Sequence, residues 1–195
     1  RIADLLKSHI FFKDQRLPLL IAIWVLGTYV YDIFTFFGYL WMNSPVKRCG
    51  KSLLLDILRY LCWRSTSRLT NPTESIIFRL ADSGRTLILD ELENLRKQDK
   101  DRYGAVMGVL NDGFHEGGKV PRSEKIEGRW TVVEYNNYCP KALAGISSLV
   151  DTIEDRSFKI QMVRKKKQER VERFNLRKQG EALKRLREEM SLWAE

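Results

Sequence analysis

Residues 38–58 read GYLWMNSPVKRCGKSLLLDIL, and this stretch decides the fold. The run 38–43 is continuously hydrophobic, as the strands of parallel sheets are, and it predicts a central strand. Residues 51–63 repeat leucine and isoleucine at intervals of three and four, which predicts an amphipathic helix. Strand, short loop and helix in this order form the setting in which phosphate-binding loops occur.

The loop between them, SPVKRCGKS at residues 44–52, ends like the phosphate-loop signature G-x-x-x-x-G-K-[ST]. Such a loop needs a backbone that wraps the phosphates, a lysine for the β- and γ-phosphate oxygens, and a hydroxyl for Mg²⁺ at a helix N-terminus. Pro45 stands where the signature has its first glycine. The alternative is a basic turn that caps a helix. The residues predicted to bind nucleotide are Pro45, Val46, Lys47, Arg48, Cys49, Gly50, Lys51, Ser52 and Leu53.

A second hydrophobic run, TLILD at residues 86–90, predicts a strand buried on both faces and is followed by Glu91. In P-loop ATPases the acidic residue at the end of such a strand holds Mg²⁺, and a following carboxylate can activate the attacking water. We therefore predict Ser52 and Asp90 as the magnesium ligands, with Lys51 and Glu91 as catalytic residues. The alternative is an ordinary strand end.

Two weaker signals come from the last quarter of the chain. Arg156 directly precedes the predicted strand 157–163, where the arginine of an oligomeric ATPase can reach the γ-phosphate bound by a neighbouring subunit. Ser147 follows the predicted strand 139–146, at a position suited to a polar sensor of that phosphate. The alternatives are a surface arginine paired with an adjacent carboxylate, and a simple loop serine.

The segment 113–138 alternates polar and apolar residues between glycines, which predicts a hairpin with its turn near Glu127 and Gly128. A basic hairpin with an aromatic residue, here Trp130, can contact nucleic acid through phosphates and base stacking. The alternative is a solvated charged hairpin. The candidate nucleic-acid contacts are Lys119, Arg122, Lys125 and Arg129.

Length and charge predict one domain with an appendage. The 195 residues carry 34 Lys and Arg against 25 Asp and Glu, a net charge of +9 that favours polyanions as partners. Residues 1–162 are expected to form the core, and about the first 15 of them are a candidate linker from an upstream domain. Residues 163–195, with 11 basic and 6 acidic side chains, are expected to form a basic helical extension that binds polyanions or packs on the core.

The remaining patterns predict helices at 18–35, 73–82, 97–112 and 164–194. Strands alternating with helices indicate an α/β fold with a mainly parallel sheet sandwiched by helices. The apolar run 17–42 is long enough for a membrane span, but a buried helix followed by a strand explains it, so we expect no membrane. Three scattered cysteines and two histidines exclude zinc-finger spacing, and they predict reduced thiols in a cytoplasmic protein.

Four strings carry a family resemblance in this order: SPVKRCGKSLLLDIL, LILDELENL, LNDGFHEGGKVPR and CPKALAGISSLVDTIEDRSFKIQMVRK. With them the chain resembles a family of P-loop ATPase domains of unknown function, encoded largely by phages, plasmids and other bacterial mobile elements and often found beside primase-like domains. The resemblance implies an ATPase core similar to AAA+ proteins and superfamily 3 helicases, with ATP and Mg²⁺ as cofactors. It carries over the roles of Lys51, Ser52, Asp90, Glu91 and Arg156.

The motifs and the resemblance together predict Mg²⁺-dependent ATP hydrolysis that drives DNA remodelling. The protein would be a helicase or translocase motor in the replication of a mobile element, would assemble as a homo-oligomer on DNA, and would follow a primase-like domain. The alternative function is a nucleotide-gated switch in an anti-phage or regulatory assembly, without motor activity.

Overall fold

A computed structural model describes residues 1–44, 46, 48–145 and 150–195, apart from the side chain of residue 93. The strands of the central sheet are β1 (Tyr39–Asn43), β2 (Arg68–Thr70), β3 (Leu87–Asp90), β6 (Lys141–Gly145) and β7 (Ser157–Gln161). They are parallel and lie in the order β2-β3-β6-β1-β7. Between β3 and β6 the chain forms a separate antiparallel hairpin from β4 (Lys119–Ile126) and β5 (Arg129–Asn136).

Eight α-helices accompany these strands in the described part of the chain. They are α1 (Ile2–His9), α2 (Leu17–Gly27), α3 (Lys51–Leu61), α4 (Glu74–Asp82), α5 (Leu92–Gln98), α6 (Lys100–Asp112), α7 (Asp151–Glu154) and α8 (Leu176–Ala194). Successive residues of a strand face opposite sides of a sheet. On β1, Leu40 and Met42 accordingly pack with α1, α2, α3 and α8, whereas Tyr39 and Trp41 pack with α4, α5 and α6. The predicted parallel sheet flanked by helices is confirmed.

The boundaries of three predicted helices differ from the expectation. The helix predicted over 18–35 ends at Gly27, and the chain turns at residues 28 and 29. The Phe37 ring packs against this end so closely that a Cβ at position 27 would lie 2.9 Å from it. The helix predicted over 97–112 is interrupted at Asp99, whose carboxylate caps α6 by accepting from the Arg102 amide at 2.9 Å.

The extension predicted to be helical over 164–194 becomes helical only at Leu176, after Asn175 caps the helix. Gly180 lies inside α8 and does not interrupt it. In α8, Leu183 and Met190 are buried in the same hydrophobic cluster as Leu6 of α1, whereas Trp193 is 60% exposed. Helix α1 occupies part of the segment expected to be a linker, and the division at residue 162 stays a prediction.

Two further expectations concern the apolar run and the thiols. No helix in the described ranges is both long enough and apolar enough to cross a membrane. The three cysteines are free and buried.

Candidate functional site

Two of the described residues in the loop between β1 and α3 have left-handed backbone. Arg48 has φ +61° and Gly50 has φ +92°, directly before the first residue of α3. Such backbone reversals curve a chain into the concavities in which amide groups bind anions, and the N-terminus of α3 adds a favourable dipole. Glycine relieves the strain at position 50, where any side chain would be unfavourable. Pro45 and Lys47 lie outside the described residues.

Lys51 and Ser52 begin α3 at the mouth of this loop. The Lys51 side chain is half-buried, and its Nζ donates to the carbonyl oxygen of the buried Ser44 at 3.3 Å. Ser52 is exposed. The ammonium group therefore lies over the start of the loop. The other described loop residues are Val46, which is exposed, Cys49, which is buried, and Leu53, which is half-buried.

Asp90 ends β3 at the same edge of the sheet as the loop. Leu89 pairs in register with Leu143, which pairs with Trp41 on the far side of β6. Two strand spacings amount to roughly 10 Å, so the end of β3 lies about that far from the end of β1. Asp90 is 7% exposed, and its Oδ1 accepts from the amide of Glu91 at 2.9 Å.

Glu91 turns away from the strand into solvent. Its backbone is left-handed, with φ +57°, and its side chain is exposed. The amide group of Asn94, one turn into α5, donates to Glu91 Oε2 at 2.9 Å and restricts the carboxylate. The structure thus brings Lys51, Ser52, Asp90 and Glu91 to one edge of the sheet, as the motifs require.

Arg68 is a member of this group that the sequence analysis missed. Its Nε lies 3.5 Å from Asp90 Oδ2, and its Nη1 lies 3.7 Å from Asp56 Oδ1. Asp56 is four residues after Ser52 and therefore on the same side of α3. Arg68 belongs to a three-residue edge strand without a motif, so only the pairing of β2 with β3 reveals its position.

The oxygen donors of Ser52 and Asp90 fit a magnesium ion better than a softer metal. No group of three or more His, Cys, Asp or Glu side chains that could hold a metal exists within the described ranges. Magnesium usually takes one or two protein oxygens and completes its shell with phosphate and water, so two ligands suffice for it.

Arg156 lies at the opposite edge of the sheet. Ser157 pairs with Tyr39 at the start of β1, and Gln161 pairs with Asn43 at its end. At 3.3 Å per residue, roughly 16 Å of chain therefore separate Arg156 from the loop edge of its own chain. Its guanidinium donates to Asn111 Oδ1 at 2.7 Å and to the Thr152 carbonyl at 3.0 Å. The alternative pairing with an adjacent carboxylate is not among these contacts.

Ser147 lies outside the described residues. The strand before it, β6, ends at Gly145, which pairs with Asn43 at the loop edge. The predicted sensor role of Ser147 therefore stays a prediction.

The hairpin forms as predicted, with its turn at Glu127 and Gly128, but its four basic residues do not form one patch. Lys119 is paired with Glu134 at 2.7 Å, a hydrogen bond that raises the pKa of this lysine. Arg122 packs its guanidinium 4.9 Å from the centre of the Phe78 ring.

The other two basic residues lie near the turn. Lys125 faces Trp130 across the two strands, and Arg129 pairs with Ile126 beside the turn. Trp130 is 75% exposed, so an aromatic surface and two cations project from the end of the hairpin.

Comparisons with known proteins support the fold. A scan against protein-family models and a search of the curated proteins find no match. Among solved structures, the A-form apo structure of the NrS-1 C-terminal region is similar at a TM-score of 0.58 with 17% identity, covering 99% of this chain and 44% of that one. A second A-form apo structure of that region gives 0.54 and 20%, covering 97% and 43%.

The X-ray structure of JCV helicase gives a TM-score of 0.49 with 17% identity, covering 98% of this chain and 51% of that one. The chain thus spans about half the length of each of these structures. At such identities, the similarity to the NrS-1 region shows a shared fold and nothing about activity.

Proposed function

We propose that the protein is a Mg²⁺-dependent P-loop ATPase with an AAA+-like core that works on DNA as a helicase or translocase motor. The observation that carries the proposal is the meeting of Lys51, Ser52, Asp90 and Glu91 at one edge of the sheet, beside a loop with left-handed backbone at Arg48 and Gly50. Groups 38 to 40 positions apart in sequence lie at this one edge, and their residue types are those that nucleotide hydrolysis uses, which supports the proposal.

Each group has a separate task in the proposed reaction. The amides of the loop and the Lys51 ammonium would bind the phosphates and balance their charge. Ser52 and Asp90 would hold Mg²⁺, which supplies charge neutralisation at the β- and γ-phosphates. Glu91 would take a proton from the attacking water, whose oxygen bonds to the γ-phosphorus while the bond from that phosphorus to the β-phosphate oxygen breaks.

The opposite edge of the sheet would serve a neighbouring subunit. Because Arg156 lies roughly 16 Å of chain away from its own loop edge, it could meet a γ-phosphate only in an assembly of several copies. The proposed homo-oligomer follows from this role. The exposed Trp130, with Lys125 and Arg129, would contact single-stranded DNA by stacking and by phosphate contacts. We further propose the setting of mobile-element replication, with a primase-like domain upstream.

The test is ATP turnover by the wild type and by Lys51→Ala, with and without a single-stranded oligonucleotide. We expect turnover that rises with the oligonucleotide and falls at least about 100-fold in the variant, because a cation at the phosphates is lost. Lys7→Ala, an exposed lysine on α1, is the matched control and should leave turnover unchanged. If Lys51→Ala hydrolyses ATP at the wild-type rate, the assignment of the phosphate loop is wrong. Turnover that does not respond to DNA would favour the nucleotide-gated switch.

A further inference from the structure

The guanidinium of Arg156 is held by the base of the hairpin. Thr152, which accepts one hydrogen bond, belongs to the same helical turn as Arg156. The other two contacts come from elsewhere: Asn111 Oδ1 accepts at 2.7 Å, and the Phe114 ring centre lies 5.7 Å from the guanidinium carbon. Both residues belong to the segment in which α6 ends and the chain runs into β4.

A buried lysine ties this segment to the other end of the hairpin. Lys141 is completely buried, and its ammonium donates to the carbonyl oxygens of Gly113 at 3.0 Å, Asn137 at 2.8 Å and Cys139 at 3.2 Å. Gly113 precedes β4, whereas Asn137 and Cys139 follow β5. The three acceptors saturate the ammonium, so the two ends of the hairpin are bound to a single group on β6.

The last turn of α6 is part of the same connection. The side-chain amide of Asn137 donates to the Val109 carbonyl, two residues before Asn111. Phe114 is also fixed, since its carbonyl accepts from the Phe37 amide at 3.1 Å, just before β1. A displacement of the hairpin would therefore reach Asn111 and Phe114 without passing through a flexible linker, because packed elements transmit strain.

We propose that Asn111 is a positioning residue that sets the orientation of the Arg156 guanidinium according to the position of the hairpin. The proposal rests on the proposed function, in which Arg156 serves a neighbouring subunit and the hairpin binds single-stranded DNA. An amide oxygen that fixes one nitrogen of the planar guanidinium determines where the rest of the fork points. DNA on the hairpin would in this way change turnover at a site that it does not touch.

The test compares Asn111→Ala and Asn111→Asp with the wild type in the full chain. For Asn111→Ala, we expect the stimulation of kcat by a single-stranded oligonucleotide to fall about tenfold, a coupling of ordinary size. The KM for ATP should change less than about twofold, since the loop and the carboxylates are untouched. Asn111→Asp keeps an oxygen acceptor and should retain most of the stimulation.

A second background separates positioning from mere support of the fold. In Arg156→Ala, the further change Asn111→Ala should have no effect on kcat, because its partner is already gone. An additional loss there, or full stimulation in Asn111→Ala alone, would overturn the proposal. A wild type that hydrolyses ATP without responding to DNA would also overturn this proposal, but the proposed ATPase activity would be unaffected. A wild type without ATP turnover would overturn the proposed function itself.

Discussion

Two lysines at opposite edges of the same sheet show how differently one side chain can be used. Lys51 is half-buried, donates a hydrogen bond of 3.3 Å to the Ser44 carbonyl, and stands beside a loop with left-handed backbone. Lys141 is fully buried with three carbonyl acceptors, and burial lowers its pKa. A loosely held cation can exchange its partner for a phosphate, whereas a saturated one can only hold its neighbours together. Lys51 is therefore suited to chemistry and Lys141 to structure.

The largest effect should come from Glu91→Gln at the loop edge. The amide keeps the shape of the side chain but cannot take a proton, so turnover should fall about 10²- to 10⁴-fold. ATP affinity, measured by filter retention, should stay near that of the wild type. Glu181→Gln on the exposed side of α8 is the matched control. Equal losses of binding and turnover would indicate that Glu91 supports the nucleotide site rather than the reaction.

The next effect tests the opposite edge. Lys141→Met keeps the length of the side chain but leaves three buried carbonyl oxygens without their donor. We expect the free energy of unfolding, measured in urea, to fall by about 3 kcal/mol. Lys159→Met, on the exposed side of edge strand β7, should cost under about 1 kcal/mol. Similar losses of unfolding free energy in the two variants would mean that the buried hydrogen bonds of Lys141 stabilise the fold no more than a surface ion pair does.

The same contrast explains how much could be read from the sequence. The loop residues stand next to one another in the chain, because a phosphate loop is a local structure, and the carboxylates follow a hydrophobic strand that the pattern also reveals. The sheet and the hairpin turn were predictable for the same reason. Lys141 gave no such signal, because its acceptors are backbone carbonyls that any sequence would supply.

Contacts between distant segments were equally invisible. Arg68 meets Asp90 only because β2 pairs with β3, and Arg156 meets Asn111 across 45 positions of sequence. The helix predicted over 18–35 shows the opposite error. The apolar residues continue past Gly27, so composition predicted a helix that was too long. In the structure the chain turns at Thr28, and the Phe37 ring packs against the end of the helix.

A smaller effect is expected at the hairpin, which extends from the edge of the sheet that carries Lys141 and which we propose contacts DNA. Trp130→Ala should weaken the affinity for a single-stranded oligonucleotide about tenfold, since a stacked base contributes about 1 to 3 kcal/mol. Fluorescence anisotropy of a labelled oligonucleotide measures this affinity. Trp193→Ala, which removes another exposed tryptophan from α8, should leave the affinity unchanged. Equal affinity in Trp130→Ala would exclude the turn of the hairpin as the stacking surface.

The smallest effect concerns Arg68, where two influences oppose each other. Its guanidinium restrains the carboxylate of Asp90, but ion pairs of a partly exposed arginine contribute under about 1 kcal/mol. Its charge also repels a divalent cation, and a single and a double charge a few ångströms apart repel by about 2 kcal/mol even in water. Repulsion is the larger influence.

Arg68→Gln should therefore lower, by about three- to tenfold, the Mg²⁺ concentration that gives half-maximal turnover, with the free energy of unfolding changed by less than about 1 kcal/mol. Arg68→Lys keeps the charge and should leave the Mg²⁺ dependence close to that of the wild type. A magnesium titration of turnover, paired with urea unfolding of the same preparations, measures both quantities. A higher Mg²⁺ requirement in Arg68→Gln would mean that orientation of Asp90 outweighs repulsion, so that even at the loop edge a charged side chain acts mainly as a structural support.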